Sequence, residues 1–103
     1  MAEMTFSTAI EQAIREEMHR DESVIMMGES IRRGVYGVTG TLAQTFGDRI
    51  IDTPLSENGF MGAAVGAAAV GMRPIVTAMS SFMWVAMDQL VSQAAKMRYM
   101  FGG

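Results

Sequence analysis

Three short apolar runs constrain this chain more than anything else in it. "SVIMM" covers Ser23–Met27 and stops at Gly28, Ile50 and Ile51 sit inside "RIIDTPL", and Ile75 and Val76 sit inside "RPIVTAM". Each is too short for a buried helix, and each is bounded by Gly, Asp or Pro, which reads as a strand. "SVIMM" has no polar alternation, so the strand it predicts is buried on both faces. Pro74 stands at the first position of its strand, where a missing N–H is tolerated.

Helical patterns lie between these runs. From Thr5 to Arg20, Phe6, Ile10, Ala13, Ile14 and Met18 recur at helical spacing, with Glu11, Arg15, Glu16 and Arg20 opposite. Thr5 or Ser7 is the candidate cap. Gly28–Gly40 reads as a glycine-marked loop. "TLAQTFG" reads as a short helix with Thr41 as cap and Gly47 as terminator. Ser56 stands at a cap position before a helix running to about Val70 and closed by Gly71. Arg73–Met79 is the third predicted strand, and Phe82–Met100 a long final helix. Strands alternating with helices predict an α/β fold, a parallel sheet with flanking helices. Three parallel strands leave two bare edges. The expectation is therefore one unit over residues 1–103, truncated at its C-terminus or completed by another chain.

Composition removes several functional classes. A net charge of −3 lacks the basic stripe that nucleic acid demands. With no cysteine there is no disulfide framework, and with one histidine besides, a zinc site is improbable. "MAEMTFSTAIEQ" has no basic start followed by an apolar run, unlike a signal peptide, so the expected compartment is the cytoplasm or an organelle matrix. The apolar run after Gly59 is shorter than the roughly 20 residues of a membrane span. The glycines of "GVYGVTG" are three apart, which is not the dinucleotide-binding spacing. Neither a Walker loop nor a GxSxG serine occurs. His19 falls on the charged side of the first helix and is assigned no function. The twelve methionines are read as core and interface filler.

The most informative stretch is "TPLSENGFMGAAVGAAAVG", Thr53–Gly71, where Glu57 is the one carboxylate before an uncharged run. Gly62 and Gly66 are four apart and share a helix face, extended by Ala63, Ala67 and Ala69. Glycine inside a helix costs about 0.5–1 kcal/mol relative to alanine, which close approach of another element would offset. Glu57 in the first turn complements the helix dipole whatever else it does. With no cationic neighbour and apolar flanks, it also suits proton exchange with a ligand atom.

These residues carry a resemblance. "IIDTPLSENGFMGAAVGAAAVGMRPIV" and "AMDQLVSQAAKMRYMFGG", with "MTFSTAIEQAIREEM" and "VIMMGES" before them, resemble the N-terminal part of β subunits of the decarboxylating component of 2-oxo acid dehydrogenase complexes. That group includes the pyruvate, branched-chain 2-oxo acid and acetoin enzymes. The resemblance covers essentially the whole chain and implies an incomplete transketolase-like pyrimidine-binding domain. The family motif is a glutamate, four residues, a glycine, a hydrophobic residue, two more residues and a glycine. Here it reads Glu57, "NGFM", Gly62, Ala63, "AV", Gly66.

The resemblance implies thiamine diphosphate as cofactor. Glu57 then hydrogen-bonds a ring nitrogen of the aminopyrimidine and favours the imino tautomer, which takes the proton from the thiazolium carbon. Leu55 and Phe82 match positions that line the pyrimidine pocket, and Met79 lies on the same wall. The implied reaction is oxidative decarboxylation of a 2-oxo acid with acyl transfer to lipoyl. Implied partners are an α subunit, in an α2β2-type heterotetramer, and a lipoyl acyltransferase core. Diphosphate and magnesium are expected on the α subunit, and a potassium site beyond this stretch of chain. By itself the chain is then expected to be inactive. This sequence departs from the family at Gly28-Glu29-Ser30, where "GED" is usual, and "VTAMSSFMWVAMDQ" is one residue shorter than its counterpart. The competing expectation is a non-catalytic interaction module that uses the glycine-rich helix.

Overall fold

A computed structural model describes residues 3–35, 37 and 39–103. Met1 and Ala2 of the N-terminal stretch, and Tyr36 and Val38 of the predicted glycine loop, lie outside the described residues. In chain order the elements are α1 (Phe6–Arg20), β1 (Val24–Glu29), α2 (Gly40–Phe46), β2 (Ile50–Thr53), α3 (Glu57–Ala69), β3 (Arg73–Thr77) and α4 (Met97–Met100), joined by several short turns.

The three strands form one parallel sheet in the order β2-β1-β3. β1 is central, with Met26 opposite both Ile50 and Ile75. Because side chains alternate along a strand, β1 serves two cores. Val24 and Met26 pack with Met18, Ile31, Leu42 and Ile50 under α1 and α2. Ile25 and Met27 pack with Ala64, Ile51 and Val76 under α3. This is the two-faced burial that "SVIMM" predicts. Full burial of an aliphatic side chain such as Ile50 contributes about 1.5–3 kcal/mol, so this sheet holds most of what keeps the chain folded.

The helix ends follow local chemistry. Thr5 Oγ1 accepts from the Thr8 backbone N–H at 3.2 Å, so Thr5 and not Ser7 is the cap of α1. At the other end of α1, Arg49 closes exposed carbonyls. Its Nη2 donates to Met18 O at 2.6 Å and to Asp21 O at 3.2 Å, and its Nε donates to Val24 O at 3.0 Å. The guanidinium also lies over the Phe46 ring, 5.2 Å from its centroid. Exposed His19 meets the same ring edge-on.

Several predicted details need correction. α2 begins at Gly40, so Thr41 is inside it, where its hydroxyl donates to Glu11 on α1. Within the Gly28–Gly40 stretch, Ile31–Arg33 forms a 3-10 turn with Ile31 fully buried, and Thr39 Oγ1 donates to Ile31 O at 2.6 Å. Ser56 precedes α3 but makes no side-chain cap bond. The apolar stripe of α1 is buried only at its end: Met18 is buried and Ile14 half-buried, whereas Phe6 and Ile10 are exposed. β3 ends at Thr77, two residues before Met79.

The long final helix is not one helix. It is a 3-10 turn at Met83–Ala86, a π-helical segment at Asp88–Ala94, and the short α4. Four bulky residues in succession, Phe82 to Val85, surround a helix on all sides, and all four are exposed while Ala86 beside them is buried. No single apolar stripe rewards a continuous helix there.

Arg49→Lys is expected to lower stability by about 1–3 kcal/mol. One ammonium cannot hold three carbonyls in the fork geometry of a guanidinium, and carbonyls left without a donor lose charge-assisted bonds. The midpoint of denaturant unfolding measures this, and an unchanged midpoint contradicts the assigned role of Arg49.

Candidate functional site

An open parallel sheet holds ligands at the carboxyl ends of its strands, where successive connections leave a central strand in opposite directions. Here that place is the end of β1, since the chain passes first to β2 on one side and then to β3 on the other. Glu29 ends β1, Thr53 ends β2 and Thr77 ends β3. The β2–α3 connection is only Pro54 to Ser56, so Glu57, the first residue of α3, stays at this same edge.

Glu29 was not singled out as a site residue by its sequence, yet its surroundings are the most unusual of any carboxyl here. It continues the series of Ile25 and Met27, so it faces α3. Its Oε1 is buried without a hydrogen-bond partner. Burial, and secondarily the nearby Glu57 charge, push its pKa above the ordinary 4.5. Thr53 is its register partner on β2, and Thr53 Oγ1 is likewise buried and unpartnered. Thr53 also lines a cavity of about 240 Å³ with Met27, Pro54, Gly59, Phe60 and Ala63. The sequence signal for Glu29 was its place, a carboxylate ending the central apolar run. Thr53 had no comparable signal.

The structure sorts the sequence-predicted residues into two groups. Leu55 and Glu57 lie on the β2–α3 connection, with Leu55 82% exposed and Glu57 half-buried. Met79 and Phe82 follow β3 on the adjoining segment, 49% and 45% exposed. All four flank the carboxyl edge, but they do not share an enclosed pocket. None of them lines the cavity beside Thr53 or the groove of about 680 Å³ between α3, β3 and the C-terminal segment.

The motif glycines of α3 differ from one another. A Cβ on Gly62 would lie 3.4 Å from Gln89 Cγ, in ordinary contact, so the π-helical segment packs on this position of α3. A Cβ on Gly66 would meet nothing within 4 Å. The smooth face is therefore half occupied by the chain itself. Gln89 Oε1 is the third buried unpartnered side-chain oxygen among the described residues.

Glu29→Gln is expected to raise stability near neutral pH and to leave it unchanged in acid. The folded state raises this pKa above 4.5, so it favours the protonated form. Below the unfolded value both states are protonated and nothing is lost. As pH rises through the folded value the parent loses stability, and the glutamine variant does not. Melting temperature against pH for the two proteins measures this, and parallel curves contradict it.

The comparisons with known proteins agree with the parallel sheet and its flanking helices. The description of the transketolase pyrimidine-binding domain matches residues 2–102. The beta subunit of acetoin:2,6-dichlorophenolindophenol oxidoreductase from Cupriavidus necator is 51% identical over 113 residues, covering 97% of this chain and 33% of that protein. The pyruvate dehydrogenase E1 component subunit beta of Rhizobium meliloti is 48% identical over 107 residues, covering 100% of this chain and 23% of that protein. The mitochondrial human counterpart is 48% identical over 105 residues, covering 98% of this chain and 29% of its own length. The chain thus spans a third or less of the length of these relatives. No helix among the described residues is long and apolar enough to cross a membrane. By the match over nearly its whole length, the chain belongs to the transketolase pyrimidine-binding domain family.

Proposed function

We propose that this chain supplies the pyrimidine side of a thiamine diphosphate site in a two-subunit 2-oxo acid or acetoin dehydrogenase. The observation that carries this reading is the position of Glu57. It opens α3 at the carboxyl edge of the sheet, close enough to the partly buried Glu29 for its charge to be felt there. The beta-subunit names of the relatives support the assignment.

The residues present fit the pyrimidine half of such a cofactor. An aminopyrimidine is a flat, mostly apolar ring with polar nitrogens at its rim. Leu55, Met79 and Phe82 offer exposed apolar surface at the edge, and Glu57 offers a carboxyl oxygen for a ring nitrogen. When bound, the cofactor supplies the electron sink for breaking a carbon–carbon bond next to a carbonyl. Glu57, at the first turn of α3, would hold the ring nitrogen and exchange a proton there, and Leu55, Met79 and Phe82 would supply apolar surface to the ring. Diphosphate and magnesium fall to an α subunit in an α2β2-type assembly, and potassium to a part of the β subunit outside these residues. The acyl product passes to a lipoyl acyltransferase core.

A second reading, an interaction module built on the glycine-rich helix, has one observation in its favour: the open space at Gly66. It does not compete with the first, because a site shared between subunits needs a docking face as well.

In the enzyme assembled from full-length α and β subunits, Glu57→Gln is expected to lower kcat by about 10²–10⁴-fold, the usual contribution of a positioned proton-transfer group. The variant subunits should still co-elute as the parent assembly. Turnover near that of the parent, in an intact assembly, would overturn the role of Glu57.

A further inference from the structure

Ser30 is the only non-glycine residue with positive φ among the described residues, at φ 51° and ψ 26°. A left-handed backbone is unfavourable for a residue with a Cβ, and it persists only where the surroundings impose it. The surroundings here are plain. The Arg32 backbone N–H donates to Asp52 Oδ1 at 2.8 Å, and Arg32 Nη1 donates to Ile50 O at 3.0 Å and Gly47 O at 3.2 Å. These bonds strap the turn after β1 onto β2. On the other side, β1 is pressed so closely on β3 that a Cβ on Gly28 would lie 2.5 Å from Thr77 O. Glu29 lies between the two constraints.

The Ser30 side chain is exposed and makes no capping bond, so the turn is held by backbone bonds, among them Arg33 N–H to Ser30 O at 3.1 Å, and not by the serine hydroxyl. A glycine would adopt this φ freely, but it would also open backbone conformations that a Cβ forbids. The neighbouring residue is the carboxyl with a buried, unpartnered oxygen at the edge of the proposed site. We propose that Ser30 is a positioning residue: its constrained left-handed turn holds Glu29 in one place beside Glu57 and so preforms the face that receives the cofactor. This inference rests on the cofactor-site reading above.

The test compares the parent with Ser30→Gly and Ser30→Asn in the assembled full-length enzyme. Asparagine tolerates the left-handed region while keeping a Cβ. Two quantities are read: the melting temperature of the cofactor-free protein and the affinity for thiamine diphosphate. The expected result is that Ser30→Gly melts no lower than the parent yet binds thiamine diphosphate roughly fivefold more weakly. Ser30→Asn should bind within about twofold of the parent, because it keeps the restriction. Parent-like binding by Ser30→Gly overturns the proposal. So does weaker binding accompanied by a lower melting temperature, or weak binding by Ser30→Asn as well, since either makes the turn merely structural. Glu57→Gln in the same preparations separates the two failures: parent-like turnover in that variant rejects the cofactor-site reading itself.

Discussion

Everything in this structure depends on β1 being paired on both sides and buried on both faces. A strand so placed must be apolar throughout, and Val24 to Met27 are. It must also carry polar chemistry only at its end, and Glu29 is where the apolar run gives way to charge. The tight approach of Gly28 to Thr77 fixes β1 against β3, and the matched register of Met26 to Glu29 fixes it against β2. The two cores on opposite faces then follow from alternation alone.

The same constraint builds the candidate site. With three parallel strands ending at one edge, polar groups collect there because no core position will take them. Glu29 and Thr53 are neighbours by register, and the short turn after β2 keeps Glu57 close. Burial first, and the nearby Glu57 charge second, hold the Glu29 carboxyl above the ordinary range. An edge with buried oxygens that no side chain satisfies is incomplete as it stands.

Much of this was legible in the sequence, for physical reasons. The strands showed because a two-faced strand leaves an unmistakable uncharged run. Glu57 showed because it is the one carboxylate before an uncharged run and because it opens a stretch that resembles the family motif. What was not legible depends on contacts between distant segments. Glu29 gains its environment from Thr53 and Glu57, not from its own neighbours in the chain. The final helix is broken where Phe82 to Val85 stay exposed, and their exposure is not written in local propensity. Gly62 and Gly66 look alike in sequence, yet one receives Gln89 and the other faces open space.

The central claim is that the carboxyl edge of this sheet receives a pyrimidine ring at Glu57. An experimental structure of the assembled full-length enzyme with thiamine diphosphate bound tests it most directly. The account predicts a Glu57 carboxyl oxygen within about 2.7–3.2 Å of a pyrimidine ring nitrogen, with Leu55 and Phe82 against the ring. A pyrimidine ring bound elsewhere, with Glu57 facing solvent, would contradict it.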